Sequence, residues 1–181
     1  GYNALQVAFG TRRASRVMVM SAHSMQLLRD HYDVDAGRIA VIPHGAPDRP
    51  FGREEEHKAK LGLTGKRVMM TFGLLGPGKG LETVIEALPA IVENHPNVIY
   101  RIVGATHPNH VSNEGEGYRE GLMELADRLG VGSNVQWDNR FLDNEELLDQ
   151  LEACDIYLTP YPNMQQSTSG TLSYAVALGK A

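Results

Sequence analysis

The sequence predicts an α/β fold, with a Rossmann-like parallel sheet and flanking helices. Two observations support this class. Short apolar runs of strand length alternate with segments of helical periodicity, which is typical of βα units. From Lys66 onward, the alternation continues through four consecutive strand–loop–helix units. The apolar runs are all strand-sized, so none is long enough to predict a membrane-spanning helix.

Composition and charge exclude several functional classes. Hydrophobic residues make up 42% and charged residues 22% of the 181 residues, as in ordinary globular proteins. The net charge of −5, with no marked basic cluster, does not indicate a nucleic-acid partner. The only cysteine, Cys154, excludes an internal disulfide. Because it ends an apolar helical pattern, we expect a small buried side chain there and not a nucleophile.

The first 46 residues predict the end of one domain. Strand candidates at 16–20 and 38–42 enclose a helical pattern, with Ser21 as its N-cap. The segment 46–52 contains two prolines and has no periodicity, so it is the best linker candidate. The predicted domains are 1–46 and 47–181.

The second region predicts a sheet whose loops carry the chemistry. The predicted strands are 67–72, 97–103, 134–137 and 156–159. A helix follows each strand; Pro89 lies inside the first of these helices, where it costs a backbone hydrogen bond and a bend. Parallel sheets bind ligands at the carboxyl ends of their strands, so the loops at these ends are the candidate sites.

The loop 73–80 has the composition of an anion site. Four glycines allow its backbone to approach a ligand closely, and Lys79 adds a positive charge at the start of a helix. The loop matches neither a Walker A motif nor a G-x-G-x-x-G fingerprint. A tight turn with an exposed lysine explains the same residues equally well.

The segment 160–171 gives a second candidate for an anion site. Its hydroxyl groups precede the last predicted helix, whose first N–H groups have no helical partner; they belong to Ser167, Thr168, Ser169 and Thr171. Simple N-capping accounts for at least one of them. Two candidate phosphate-binding loops at one edge of a sheet would suit a diphosphate, such as that of a nucleotide-sugar.

Four passages in a fixed order carry a likeness to a known family. They are Val41-Ile-Pro-His-Gly45, the stretch from Thr71 to Pro89, Asn134 to Leu147, and Ala153 to Ala181. Together they resemble retaining glycosyltransferases of the GT-B fold, in particular family 4 (glycosyl transferases group 1). The first passage is similar to that family's hinge strand between two Rossmann-like domains. The second is similar to its "K-G…L-I-E-A-L" passage, which often has a proline where Pro89 stands.

The resemblance implies a donor site with two parts. Lys79 would contact the donor diphosphate and neutralise the charge that develops on the leaving nucleotide. The implied diphosphate-binding residues are Gly73, Lys79, Gly80, Ser167, Thr168, Ser169, Gly170 and Thr171. The implied base-binding and sugar-binding residues are Gly104, Asn139, Arg140, Phe141, Gln166 and Tyr174.

The implied reaction moves a sugar from a nucleotide-sugar, either a GDP-sugar or a UDP-sugar, to an acceptor hydroxyl with retained configuration. The resemblance implies neither a metal nor a separate cofactor. The acceptor would be a carbohydrate or a lipid-linked molecule, and the protein would work in the cytoplasm or at the inner membrane face. No catalytic residue is assigned.

The sequence departs from the family pattern at three positions. Leu74 stands where the family has an arginine, and Gln166 and Tyr174 stand where it has a pair of glutamates. Tyrosine cannot accept two hydrogen bonds from a ribose as a carboxylate does. With these departures, the sequence resembles a mannosyltransferase-like subgroup of family 4. The departures also favour an alternative function, a non-catalytic module that binds a nucleotide-sugar or phosphate. Another user of nucleotide-sugars, such as an epimerase, would require acidic and histidine residues that the sequence does not display.

Residues before Ala46 match only the tail of an acceptor-binding domain. We therefore expect a piece of a longer enzyme, inactive when isolated. His23 and His44 are the nearest candidates for acceptor-side catalysis, although a structural role is favoured for both. His107 and His110 have no cysteine or acidic partner that would complete a metal site, so we expect a solvated loop there.

We expect the isolated piece to self-associate, because an incomplete sheet leaves an unpaired edge and apolar helix faces. Sedimentation velocity over a range of concentrations measures this directly. A single monomeric species at high concentration would contradict the prediction.

Overall fold

The computed structural model describes residues 2–106, 115–163 and 166–181. The chain divides into two compact units, which we describe separately. The first unit is Gly1–Ala46 with Gln165–Ser173, and the second is Pro47–Met164 with Tyr174–Ala181. His107 and His110, considered above as metal ligands, lie outside the described residues.

The first unit contains a small parallel sheet. Its elements are α1 (Tyr2–Arg13), β1 (Val17–Val19), α2 (Ala22–Tyr32) and β2 (Ile39–Val41). β1 pairs with β2 in parallel, with Val17 opposite Ile39. The Ser21 side chain accepts a hydrogen bond from the Ser24 N–H at 3.0 Å, which confirms the predicted N-cap of α2. Leu28 of α2 packs with Val34 and Ile39 in a small cluster.

The second unit contains the main sheet. Its strands are β3 (Arg67–Phe72), β4 (Val98–Val103), β5 (Val135–Asp138) and β6 (Ile156–Tyr157). Its helices are α3 (Glu54–Lys60), α4 (Leu81–Asn94), α5 (Gly117–Arg128) and α6 (Asn144–Glu152). All pairings are parallel, in the order β5-β4-β3-β6. This arrangement of parallel strands and flanking helices confirms the predicted α/β class. A last helix, α7, spans Gly170–Ala177.

The central strand β3 contributes to two hydrophobic clusters, because successive side chains on a strand point to opposite faces. Met69 belongs to the cluster formed with α4 and α5, whereas Met70 and Phe72 belong to the cluster formed with α6 and the residues from 174 onward. Cys154 is fully buried in the second cluster, and burial raises the pKa of its thiol to about 12. The prediction of a small buried side chain is therefore confirmed.

Pro89 lies inside α4, as predicted, and the helix continues through it to Asn94. The strand predicted at 156–159 is shorter, because only Ile156–Tyr157 pairs with β3 as a strand. One further hydrogen bond, from the Leu158 N–H to the Met70 carbonyl at 2.8 Å, continues this pairing. The chain then leaves the sheet, so that the backbone of Pro160 lies against Gly80.

Two buried hydroxyl groups join β4, β3 and the segment that follows β6. The Tyr100 hydroxyl donates to the Thr71 hydroxyl at 2.9 Å, and Thr71 donates to the Leu158 carbonyl at 2.9 Å. Tyr100 and Thr71 are both fully buried. Burial raises the pKa of Tyr100, so the phenol stays a neutral donor. These two hydrogen bonds fix the segment that follows β6 to the centre of the sheet.

The end of β5 is held by one carboxylate. Asp138 accepts hydrogen bonds from the Arg140 side chain at 2.7 and 2.9 Å, and from the Gln150 side chain at 3.1 Å. These bonds, the Arg140 bond first, lower the pKa of Asp138 to about 2. Asp143 caps α6 by accepting from the Glu146 N–H at 2.9 Å. The Glu146 carboxylate does not complete a capping box in the described contacts; it pairs with Arg140 at 2.6 Å.

Tyr100→Phe tests the chain of hydroxyl groups. We expect the free energy of unfolding to fall by about 1 kcal/mol, the usual contribution of a buried hydrogen bond. Urea unfolding measures the change. Tyr118→Phe is the control, because the half-buried Tyr118 hydroxyl donates to Glu82 at a longer 3.2 Å. Equal losses in the two variants would contradict a special role for the buried chain.

Asp138→Asn tests the carboxylate at the end of β5. The ordinary pKa of aspartate is about 3.9. Because the pKa of Asp138 is lower in the folded protein, its carboxylate stabilises the fold at pH values above about 3.9, and this stabilisation is lost as pH falls toward 2. We expect the stability difference between the native protein and Asp138→Asn to be largest above pH 5 and to narrow by pH 3. Urea unfolding at several pH values measures it, and carboxylates common to both proteins cancel. A pH-independent difference would refute the assignment.

Candidate functional site

The carboxyl ends of β3, β4 and β5 are held together by backbone hydrogen bonds that continue past the strands. The Gly73 N–H donates to the Val103 carbonyl at 3.0 Å, and the Gly104 N–H donates to the Asp138 carbonyl at 2.7 Å. Gly104 has a φ of 131°, and a Cβ built there would overlap the Gly73 carbonyl oxygen. Only glycine fits at 104, because both the backbone conformation and the close approach exclude a side chain.

A pocket of about 180 Å³ opens at this edge of the sheet. Its lining residues are Phe72, Gly73, Leu74, Val103, Gly104, Ala105, Arg140, Phe141, Leu142 and Leu147. Four of the predicted site residues therefore meet around one pocket: Gly73, Gly104, Arg140 and Phe141. Asn139 is exposed and is not among the lining residues. The walls are mainly apolar, and Phe141, with 85% of its surface exposed, offers a ring for stacking.

Arg140 enters the pocket with its charge already paired. Its guanidinium contacts Asp138 at 2.7 Å and Glu146 at 2.6 Å, and the bond to Asp138 is the main reason why the pKa of Arg140 is raised. Two carboxylates around one guanidinium leave little positive charge for an anionic ligand. The arrangement instead holds the loop 139–141 in place, so the backbone and Phe141 remain available for contacts.

Lys79 ends a short 3-10 turn, Pro77–Lys79, and Gly80 follows with a φ of 63°. The Lys79 ammonium donates to the Tyr161 hydroxyl at 2.9 Å and lies 4.4 Å from the centre of the Tyr161 ring. Within residues 2–106, 115–163 and 166–181, the ion pairs of the structure do not include Lys79. Its charge is therefore oriented by a neutral partner.

The predicted residues of the segment 166–171 lie in the first unit. The Ser169 side chain accepts from the Leu172 N–H at 3.2 Å, so this serine is an N-cap of α7, as the simpler explanation of the segment requires. The Ser167 and Ser24 hydroxyls are 2.8 Å apart, and the Gln166 side chain donates to the Thr168 carbonyl at 3.0 Å.

Gly170 lies against His44 within the same unit. A Cβ built on Gly170 would come within 2.5 Å of the His44 ring. A side chain at Gly170 would therefore displace the His44 ring. Thr171 follows with its hydroxyl 3.0 Å from that of Ser169. His23, the other histidine considered for catalysis, is exposed on α2.

Tyr174 belongs to the second unit, where its ring packs against Phe72. The two ring centres are 6.4 Å apart, with an angle of 49° between the planes. Tyr174 is partly buried against the second hydrophobic cluster. A carboxylate at this position would face a largely apolar environment, so the tyrosine suits its surroundings in this chain.

Sequence reasoning missed Tyr161 and Asp138. Tyr161 contacts Lys79 directly, and its signal was an aromatic residue between two prolines immediately after a predicted strand end. Asp138 holds the loop before Phe141, and its spacing of two residues from Arg140 was the only available sign. Tyr161 acts through a contact between distant segments, which local patterns do not show.

One group of side chains has the spacing of a metal site. His57, Asp149 and Glu152 offer ligand atoms within 4.8 Å of one another. The Arg49 guanidinium, however, already lies 3.2 Å from Asp149 and 2.7 Å from Glu152. We therefore interpret the group as an ion-pair network that joins α3 to α6, and it does not support a metal site.

Comparisons of sequence identify relatives of this chain. The model of the family described as "Glycosyl transferases group 1" matches residues 53–163, more than half of the chain. The D-inositol 3-phosphate glycosyltransferase of Corynebacterium glutamicum is 29% identical over 182 residues, which cover 92% of this chain and 42% of the relative. The enzyme of the same name from Corynebacterium efficiens is 30% identical, covering 89% and 41%. The chain thus spans less than half the length of these relatives.

Solved structures show the same fold at lower identity. Anabaena Alr3699/HepE in complex with UDP-glucose has a TM-score of 0.74 and 22% identity, over 99% of this chain and 47% of that one. WaaG, a glycosyltransferase involved in lipopolysaccharide biosynthesis, has a TM-score of 0.71 and 22% identity, over 91% and 42%. Among the described residues, none of the helices is both long and apolar enough to span a membrane. Since the family match extends over more than half of its length, we conclude that this chain belongs to the glycosyl transferases group 1 family, which has the GT-B fold.

Proposed function

We propose that this chain is the donor-binding part of a retaining, family 4 glycosyltransferase that transfers a hexosyl group from a nucleoside diphosphate sugar to an acceptor hydroxyl. The observation that carries the proposal is the apolar pocket at the carboxyl ends of β3, β4 and β5, together with Lys79 on the loop after β3. Among the described residues, its ammonium bonds the Tyr161 hydroxyl and is paired with no carboxylate. Open α/β sheets bind ligands at this edge.

The nucleoside would use the pocket. Gly104 lets the loops after β3 and β4 meet at the floor of the pocket, and the exposed Phe141 ring can stack on a base. Because Arg140 is paired with two carboxylates, base recognition would rely on backbone groups of the loop 139–141. A pocket with few charged groups suits a neutral base better than a phosphate.

The diphosphate would use Lys79. An ammonium held by a phenol keeps its full charge, which can neutralise the negative charge that develops on the leaving nucleotide. The family's arginine in the first loop is Leu74 here, so the lysine would carry a larger share of this stabilisation. Gly73 and Gly80 would contribute further donors, and the reaction would need neither a metal nor a cofactor.

The relatives support a donor of this class. Alr3699/HepE binds UDP-glucose, and the related corynebacterial enzymes are D-inositol 3-phosphate glycosyltransferases. For this chain we propose a UDP-sugar or GDP-sugar donor and membership of a mannosyltransferase-like subgroup. Residues 1–46 would form the end of the acceptor domain and the hinge. The acceptor would be a carbohydrate or lipid-linked molecule, used in polysaccharide biosynthesis in the cytoplasm or at the inner membrane face.

The packing of Tyr174 favours a second candidate function. The ring packs against Phe72 at the position where the family has a glutamate, so this side chain cannot hold a ribose as a carboxylate does. The second candidate is a module that binds a nucleotide-sugar without transferring the sugar. Donor binding without transfer by the complete protein would distinguish this module from an enzyme.

Calorimetric titration with UDP, GDP and ADP tests the proposed donor site. We expect one nucleotide to bind saturably, and Lys79→Ala to weaken that binding about tenfold to a hundredfold, the usual loss for one hydrogen bond to a charged group. Lys66→Ala is the matched control, because Lys66 is an exposed lysine before the opposite end of β3. It should bind like the native protein.

The nucleotide that binds would identify the base. If Lys79→Ala and Lys66→Ala weakened binding equally, the effect would come from net charge, and the assigned role of Lys79 would be wrong. Absence of binding by all three nucleotides would refute the donor-site proposal for this chain.

A further inference from the structure

A short segment after β6 lies directly against the turn that carries Lys79. It consists of Pro160, Tyr161 and Pro162. A Cβ built on Gly80 would overlap the carbonyl oxygen of Pro160 and come within 3.3 Å of the Pro162 ring. The two backbones are thus in contact, and Gly80 is the residue that allows it.

The segment also has a fixed starting point. The Leu158 carbonyl, two residues before Pro160, accepts from the buried Thr71 hydroxyl at 2.9 Å. The two prolines restrict the backbone on both sides of Tyr161. Because its start is bonded to the sheet and its backbone is restricted, the segment can hold the Tyr161 side chain in one place.

Tyr161 meets the Lys79 ammonium in two ways. Its hydroxyl oxygen accepts a hydrogen bond from Lys79 at 2.9 Å, and its ring centre lies 4.4 Å from the same nitrogen. A lysine side chain has four rotatable bonds and loses much conformational freedom when it is held. Contacts with both the oxygen and the ring limit that freedom before any ligand arrives.

The neutrality of the partner matters as much as the contact. A carboxylate would orient the lysine but also cancel its charge, as Asp138 and Glu146 do for Arg140. A phenol orients the ammonium and leaves the charge available for an anion. Lys79 is therefore an oriented cation whose charge is available to a ligand. Recognition of a diphosphate requires such a cation.

We propose that Tyr161 is a positioning residue for Lys79: it holds the ammonium, with its charge intact, in the direction from which it binds the donor diphosphate. The inference rests on the proposed function of the Lys79 loop, and it adds a residue from a different strand end to that site. Tyr161 acts through Lys79 and does not itself contact the reacting atoms.

A double-mutant cycle tests the proposal. Calorimetry measures binding of UDP and GDP, and of uridine and guanosine, to the native protein and to Tyr161→Phe, Tyr161→Leu, Lys79→Met and the double variant Tyr161→Leu/Lys79→Met. We expect Tyr161→Leu to weaken binding of the nucleoside diphosphate about tenfold, with nucleoside binding unchanged. Tyr161→Phe keeps the ring and should lose less. In the Lys79→Met background, Tyr161→Leu should cause no further loss.

A second measurement follows the lysine itself. After reductive methylation with ¹³C-formaldehyde, the dimethyl resonance of Lys79, assigned by its loss in Lys79→Met, should be displaced by the Tyr161 ring current. Tyr161→Leu should move it toward the position of an exposed lysine, whereas Tyr161→Phe should keep most of the displacement. This readout needs no nucleotide.

The outcomes separate the two proposals. Absence of nucleotide binding by the native protein would refute the proposed function. If the native protein binds and Lys79→Met weakens binding, the positioning role is refuted by any of three results: no loss in Tyr161→Leu, an equal loss in the Lys79→Met background, or a loss that extends to the nucleoside. An unchanged Lys79 resonance in Tyr161→Leu would likewise refute the contact.

Discussion

The second unit depends on the parallel pairing of β3 with a neighbour on each side. Five of the six residues in this strand are buried, and its side chains enter the clusters on both faces of the sheet. Parallel strands point the same way, so every loop that leaves a carboxyl end emerges at one edge. The pocket and the lysine turn both follow from this arrangement. Each also needs a glycine where two backbones meet: Gly104 against Gly73, and Gly80 against Pro160.

Two cations near this edge have different electrostatic partners. Arg140 is surrounded by Asp138 and Glu146, so it shapes a loop and contributes little net charge. Lys79 is held by a phenol and keeps its charge. Sequence alone gives both residues the same formal charge, and only their partners distinguish a structural cation from one available to a ligand.

Much of the fold was predictable because its signals are local. The buried strand 67–72, the N-cap at Ser21 and the helix through Pro89 all follow from patterns within a few residues, and the structure confirms them. The short length of β6 was not predictable, because it reflects the contact of Pro160 with a glycine eighty positions earlier in the chain. The partner of Lys79 was missed for the same reason. The roles of the site residues remain predictions.

Cys154 gives the second unit a built-in reporter of its own motions. The thiol is fully buried beside Leu151 and Tyr157, and its raised pKa leaves almost no thiolate at neutral pH. A thiol reagent can therefore react only when the structure around α6 and β6 opens. Since this is the only cysteine in the sequence, the rate of its modification under native conditions reports how often that opening occurs. Cys154 is thus a natural probe for opening of the core, and no engineered cysteine is needed.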